Sequence, residues 1–108
     1  MREFMISYGV VFNGALGDAK NEDRARRYSD LVMLAFTLGP AWGGNQPATF
    51  LKSDLDVDEV TRRFLPYLTH GDLVLVVQIK PERLVRYAGM LSDQEGFEAI
   101  FPDALEVN

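Results

Sequence analysis

The densest group of side chains able to do chemistry is an acidic cluster between residues 54 and 59. It consists of Asp54, Asp56, Asp58 and Glu59. Carboxylate oxygens are the ligands that Mg²⁺ and Ca²⁺ prefer, and alternating aspartates are typical of calcium loops. The cluster lacks the glycine and the terminal glutamate of such a loop, and its D-x-x-E spacing is also a helix start. The pattern therefore favours helix capping and solvated charge, and it leaves Asp56, with Asp18, as a candidate metal ligand.

Basic side chains gather on two segments that are predicted to be helical. Lysine and arginine bind nucleic acids by neutralising backbone phosphates. Helical spacing spreads these arginines over more than one face, and acids such as Asp23 and Asp30 lie within pairing distance along the helix. A solvated helix surface is thus the competing interpretation for the candidate nucleic-acid-binding residues, which are Arg24, Arg26, Arg27, Arg62 and Arg63.

Other reactive side chains are few. The chain has no cysteine and one histidine, which excludes disulfides, thiolate metal sites, thiol nucleophiles and any site that needs two histidines from one chain. His70 follows a predicted helix, where a cation is favourable, and it has no partner serine or carboxylate in a motif. Trp42 could stack on a nucleic-acid base, but we favour its partial burial at a contact between subunits.

The charge of the chain is unevenly distributed. Residues 1–91 carry eleven basic and eleven acidic side chains, whereas residues 92–108 carry five acids and no base, so the net charge of −5 belongs to this C-terminal part. A net negative charge argues against a protein that simply binds phosphates.

The length of 108 residues suits one domain. Because they contain no long apolar run and no cleavable leader pattern, we expect a cytoplasmic protein without a membrane partner.

The elements that position these side chains follow from the spacing of apolar residues. The predicted order is strand, helix, strand, strand, helix, strand, over residues 4–12, 22–38, 41–46, 48–53, 57–68 and 73–79. Asn21 is the expected N-cap of the first helix, and Pro66 is expected to shorten the second. Beyond residue 80, the sequence predicts two short helices over 81–87 and 92–101, the second capped by Ser92.

This order predicts an α+β protein, a ferredoxin-like sandwich with a four-stranded antiparallel sheet in the order 4-1-3-2 and two helices on one face. Residues 1–80 are predicted to form this domain, and residues 81–108 a C-terminal extension that packs on the sheet or on a partner subunit. A sheet covered on one side leaves an apolar face, so we expect a homodimer. The predicted interface residues are Met5, Val11, Trp42, Phe97 and Phe101.

Three parts of the sequence resemble a known family. They read FMISY at 4–8, LG at 38–39 with TFLKS at 49–53, and VDEV, FLPYL and GDLVLVV between residues 57 and 77. This pattern resembles the second of the two universal CRISPR-associated adaptation proteins, a small protein, and its relatives that are similar to the regulator SinR and to virulence-associated protein D. The resemblance implies a homodimer that is either a metal-dependent nuclease or a non-catalytic DNA-binding scaffold.

The nuclease activity of that family depends on an aspartate directly after the aromatic residue that ends the first strand. Here Gly9 follows Tyr8, and glycine has no side chain that could bind a metal. We therefore expect a non-catalytic, homodimeric binding or scaffolding protein without a cofactor, with nucleic acid as one candidate partner. Two alternatives stay open: an endoribonuclease that uses Mg²⁺ or Mn²⁺ at Asp18 or at the 54–59 cluster, and a dimer that senses a small molecule.

Overall fold

The computed structural model describes residues 1–10, 18–44 and 47–108, with the backbone alone for residues 18–21. The described strands are β1 (Arg2–Gly9), β2 (Ala41–Trp42), β3 (Ala48–Ser53), β4 (Leu73–Lys80), β5 (Leu84–Gly89) and β6 (Leu105–Glu106). The described helices are α1 (Asp18–Thr37), α2 (Val57–Phe64) and α3 (Gln94–Ile100), and a 3-10 turn over Leu65–Tyr67 follows α2. The protein is therefore α+β, as the sequence predicts.

The strands form one mixed sheet in the order β2-β3-β1-β4-β5-β6. Strand β1 pairs antiparallel with both β3 and β4, β2 pairs antiparallel with β3, and β5 pairs antiparallel with β4. Strand β6 pairs in parallel with β5. The prediction of a four-stranded sheet is wrong in its extent, because β5 and β6 continue the sheet beyond β4.

The predicted helix over residues 81–87 is also wrong, since this segment supplies β5. Residues 81–83 connect β4 to β5 as an antiparallel hairpin, in which Leu84 lies opposite Gln78 and Ala88 lies opposite Val74. Without β5, the long edge of β4 would leave a row of backbone N–H and C=O groups unpaired. Pairing along β4 thus outweighs the weak helical pattern of this short segment.

Helices α1 and α2 cover one face of the sheet, which we call the helix face. Leu31 and Ala35 of α1 and Val60 and Phe64 of α2 are buried against it. The sheet contributes a matching apolar layer from β1, β3, β4 and β5, consisting of Phe4, Ile6, Leu51, Val74, Val76 and Ala88. Burial of this layer is the main hydrophobic contribution to the fold.

Helix boundaries follow the local capping chemistry. The Asp56 side chain accepts a hydrogen bond from the Glu59 N–H at 2.8 Å and caps α2, and the chain tightens into the 3-10 turn at Pro66, as a residue without an N–H requires. Helix α1 begins at Asp18, so the prediction of Asn21 as its N-cap is wrong. Asp93, in place of the predicted Ser92, caps α3 by accepting from the Gly96 N–H at 3.0 Å.

The opposite face of the sheet, called here the second face, is covered at its β5 side by the C-terminal segment. Phe97 of α3 packs edge-on against Tyr87 of β5 with ring centroids 5.3 Å apart, and Phe101 packs on Phe97 at 5.2 Å. The Val107 N–H donates to the Tyr87 carbonyl at 2.8 Å. Beneath this segment Val85 is fully buried.

None of the helices in residues 1–10, 18–44 and 47–108 combines the length and the apolar character that crossing a membrane requires.

Candidate functional site

A row of apolar side chains crosses the second face over five strands. Trp42 lies opposite Phe50, Phe50 opposite Met5, Met5 opposite Val77, and Val77 opposite Val85. Directly opposed residues of paired strands project from the same face, so these five side chains form one band. Val85 has no exposed surface, but the exposed fraction is 38% for Phe50 and 58% for Trp42. The band is thus covered over β5 and open over β3 and β2; we call the open part, over β2, β3 and β1, the open half.

The open half contains a concave site, called here the Trp42 groove. Its volume is about 270 Å³, and its wall is mainly apolar, with Pro40, Trp42, Phe50, Leu51, Lys52 and Ile79 among the lining residues. The Trp42 and Phe50 rings form one side with centroids 6.0 Å apart and a tilt of 37°. Ile79, at the end of β4, is 46% exposed on the same face. Exposed large apolar side chains that cluster in a concave site are typical of binding surfaces.

A glycine turn holds the Trp42 ring in place. Gly44 has a φ of +53°, and a Cβ at this position would come within 2.6 Å of the indole ring. The indole therefore lies against bare backbone, which explains why glycine follows a two-residue strand at this point. The glycines of this segment cost conformational entropy on folding. In return, the Trp42 indole can pack against the Gly44 backbone while most of its surface stays exposed.

Three charged side chains lie at the end of β1 and beside the groove. Glu3 is opposite Lys52 on β3 and opposite Lys80 on β4. The Lys80 ammonium is 4.0 Å from the Glu3 carboxylate, whereas Lys52 makes no ion pair with any residue that the structure describes. The rim of the groove thus has one unbalanced positive charge, on Lys52.

The arginines of α1 bind groups within the protein. Arg26 pairs with Asp23 at 2.6 Å, and the Arg24 Nε donates to the Val10 carbonyl at 2.9 Å. Arg27 pairs with Asp23 at 3.0 Å and with Asp72 at 2.9 Å. Hydrogen bonds from Arg27, and then from Arg26, hold the pKa of Asp23 below its usual value. Much of the positive charge of this helix is therefore compensated locally.

The arginines of α2 are compensated in the same way. Arg63 and Arg62 each donate to the Glu59 carboxylate at 2.8 Å, and these hydrogen bonds lower the pKa of Glu59. Arg86 of β5 pairs with Asp58 at 2.6 Å. The acidic cluster of the sequence thus supplies a helix cap, from Asp56, and two acidic partners, Asp58 and Glu59, for three arginines.

The sequence indicated two candidate metal ligands, Asp18 and Asp56. Asp56 caps α2, while the side chain of Asp18 lies outside the described residues. No group of three or more histidine, aspartate or glutamate side chains able to hold a metal ion occurs among the residues that the structure describes.

The predicted interface residues lie on the second face where they are described. Met5 and Trp42 belong to the open half, while Phe97 and Phe101 form the cover over β5. Val11 lies outside the described residues. His70 is exposed between the 3-10 turn and β4.

A buried ion pair that sequence analysis did not single out joins α1 to the start of β4. Asp72 is 1% exposed, and both of its carboxylate oxygens accept from Arg27 Nη1, at 2.9 and 3.0 Å. The Thr69 N–H and hydroxyl also donate to Asp72, both at 2.9 Å. Burial alone would lower the pKa of Arg27, but its hydrogen bonds to Asp72 and Asp23 outweigh this and raise it. The two partners lie 45 residues apart in the chain, so no local spacing in the sequence indicates the pair.

Tyr8, the residue before Gly9, is a second buried polar group. Its ring packs against Tyr28 at 5.5 Å and Phe64 at 6.0 Å. Among the described residues its hydroxyl has no hydrogen-bond partner of normal geometry. Burial raises the pKa of Tyr8 to about 12, although the nearby Thr49 hydroxyl offsets part of the rise. The side chain is therefore a neutral packing residue of the helix face.

Comparison of the chain with protein-family models, curated proteins and solved structures finds no match.

Proposed function

We propose that this chain is a non-catalytic binding protein that works as a homodimer, with a ferredoxin-like core formed by β1 to β4 and helices α1 and α2. In this proposal two copies pack the open halves of their second faces together. The observation that carries it is the band from Val85 to Trp42, which is buried under the C-terminal segment at one end and exposed at the other. A second copy would complete the cover.

The charges around the open half support self-association. An interface with two-fold symmetry uses the same patch on both copies, so the patch must complement itself. Glu3 provides a negative charge, and Lys52 and Lys80 provide positive charges at the same end of the sheet. A patch with both signs can pair across a two-fold axis, whereas a patch of one sign would repel its copy.

The size of the open half indicates a dimer of modest affinity. Neighbouring strands lie about 4.8 Å apart, so β2, β3 and β1 together present a surface roughly 10–15 Å wide. A stable complex usually buries about 800 Å² per partner, which is more than this width provides over strands of two to eight residues. We therefore expect the dimer to dissociate in the micromolar range.

The scaffold role follows from the resemblance to the CRISPR adaptation family, together with Gly9 at the position of the nuclease aspartate. Nucleic acid is a less favoured partner of the helix side, because the arginines of α1 and α2 already have acidic or carbonyl partners. The open half favours an apolar protein surface, which a second copy of the chain supplies.

Sedimentation equilibrium of the wild type, Phe50→Lys and Met33→Lys tests the proposal. Phe50 lies in the centre of the open half, so a lysine there should abolish the dimer. Met33 is 62% exposed on α1, and the same substitution at this position should leave the dimer unchanged. A wild type that stays monomeric at high micromolar concentration would refute the homodimer, as would equal effects of the two substitutions.

A further inference from the structure

We infer that the Trp42 groove binds a small amphipathic anion, a ligand with an unbranched or compact apolar body and one carboxylate. The inference goes beyond the homodimer and concerns the single copy, to which all the residues that form the groove belong. Because the groove lies in the open half, the ligand and a second copy compete for the same surface.

The size of the groove sets the size of the ligand. Ligand pockets generally have volumes of about 300 to 1,000 Å³, so the groove, at about 270 Å³, lies just below the lower end of this range. It accommodates an apolar body of roughly ten non-hydrogen atoms. Trp42, Phe50 and Ile79 provide the surface on which such a body loses contact with water.

The Trp42 side of the groove is held by packing within the chain. The indole is fixed against the Gly44 backbone and beside the Phe50 ring. A site that needs no rearrangement spends less of its interaction free energy on ordering side chains. The two aromatic rings are thus ready to contact an apolar chain or ring.

Charge at the rim selects the head group. Lys52 lines the groove and has no ion-pair partner among the described residues, whereas Glu3, the acid on the same rim, is 4.0 Å from Lys80. Lys80 lies outside the lining of the groove, but its ammonium beside Glu3 offsets that negative charge and leaves the charge of Lys52 unbalanced. A carboxylate gains a charge-assisted interaction with Lys52 there, and an ammonium group would be repelled.

Three probes of equal chain length test the inference: octanoate, octanol and octylammonium. The chain has a single tryptophan, so its intrinsic fluorescence reports on the groove directly. The titrations use protein at a concentration where sedimentation shows the monomer, so that self-association does not compete. We expect octanoate to bind at roughly millimolar concentration, about three- to fivefold more tightly than octanol, with octylammonium the weakest.

Substitutions at the rim separate the charge from the apolar contact. Lys52→Met should reduce octanoate binding to the level of octanol, and Lys52→Glu should reverse the preference in favour of octylammonium. Arg26→Met removes the same charge from α1, on the helix-face side of the sheet, and should leave all three affinities unchanged. Phe50→Ala should weaken all three probes together.

The inference fails if the three probes bind equally, if none changes the Trp42 fluorescence, or if the preference for octanoate survives Lys52→Met and Lys52→Glu. Because Lys52 and Phe50 are exposed, these variants should keep the fold, and far-ultraviolet circular dichroism checks this. The dimer measured by sedimentation is a separate readout, so the failure of one proposal leaves the other standing.

Discussion

Replacing Asp72 by alanine is expected to lower the free energy of unfolding by about 3 kcal/mol or more. Asp72 is the most buried acid described in the chain, and it accepts hydrogen bonds from Arg27 and Thr69. The replacement removes the acceptor but leaves the donors in place. The loss follows from the hydrogen bonds that Arg27 and Thr69 no longer make to a buried carboxylate.

The magnitude comes from the burial of the two partners. The side chains of Arg27 and Asp72 are 13% and 1% exposed, and removing one partner of a buried pair typically costs about 3–5 kcal/mol. Arg27 keeps its ion pair with Asp23 at 3.0 Å, which limits the penalty for the guanidinium and favours the lower end. The Thr69 N–H also loses its acceptor at 2.9 Å, but Thr69 is exposed, so water replaces the carboxylate and this loss adds little.

Urea denaturation followed by circular dichroism measures the effect, with Glu59→Ala as the matched control. Glu59 also accepts from two arginine donors, at 2.8 Å, but its partners Arg62 and Arg63 are about half exposed. Exposed pairs contribute about 1 kcal/mol or less. A cycle that adds Arg27→Met to Asp72→Ala should show that the double variant loses less than the two single losses combined.

If Asp72→Ala costs no more than Glu59→Ala, the buried pair does not stabilise the fold as argued. The same conclusion follows if the losses from Arg27→Met and Asp72→Ala simply add, because independent losses mean that the two side chains do not interact.

Three further predictions concern the Tyr8 hydroxyl, the Glu59 carboxylate and the C-terminal segment. The pKa of Tyr8 is raised from 10 to about 12, so its contribution to stability should be fully present below pH 10 and be lost as the pH rises to about 12. Because burial also raises the pKa of Tyr87, Tyr8→Phe should reduce the fall in alkaline denaturation and not abolish it; a fall equal to that of the wild type would contradict the burial of Tyr8. The pKa of Glu59 is lowered from 4.5, so its contribution to stability is present above pH 4.5 and is lost as the pH falls further. In Glu59→Gln the free energy of unfolding should therefore depend less steeply on pH in this acid range. An unchanged slope would refute this. Deleting residues 92–108 uncovers Tyr87 and Val85, so it should lower the melting temperature and promote aggregation, whereas an unchanged melting temperature would show that the segment stabilises nothing.

The local spacing of apolar residues was sufficient to predict most of the helices and strands. Alternation and helical spacing predicted β3, β4 and the start of α2 close to their observed bounds, because each of these segments has an apolar side that must face a core. The first strand was predicted over residues 4–12, whereas β1 begins at Arg2 and ends at Gly9. The cap by Asp56 and the shortening of α2, which ends at Phe64 ahead of Pro66, were predictable because hydrogen bonding within one turn decides them.

Long-range pairing decided the rest. The apolar residues of the segment over 84–89 follow neither a clear strand spacing nor a clear helical spacing. The segment becomes a strand because it pairs with the edge of β4. The Arg27–Asp72 pair joins residues far apart in the chain, which local spacing cannot reveal. Of the five arginines that the sequence indicated as candidates for binding nucleic acid, four pair with acids and Arg24 donates to a backbone carbonyl. These pairings depend on side-chain directions in three dimensions.

The sequence by itself determined which residues are apolar, where most helices and strands lie, and that one face of the sheet needs a cover. Only the tertiary structure decided how far that cover extends. The C-terminal segment buries the band at Val85 and leaves it open at Phe50 and Trp42. The physical reason is that burial depends on which strands become neighbours, and strand order is set by contacts between distant parts of the chain.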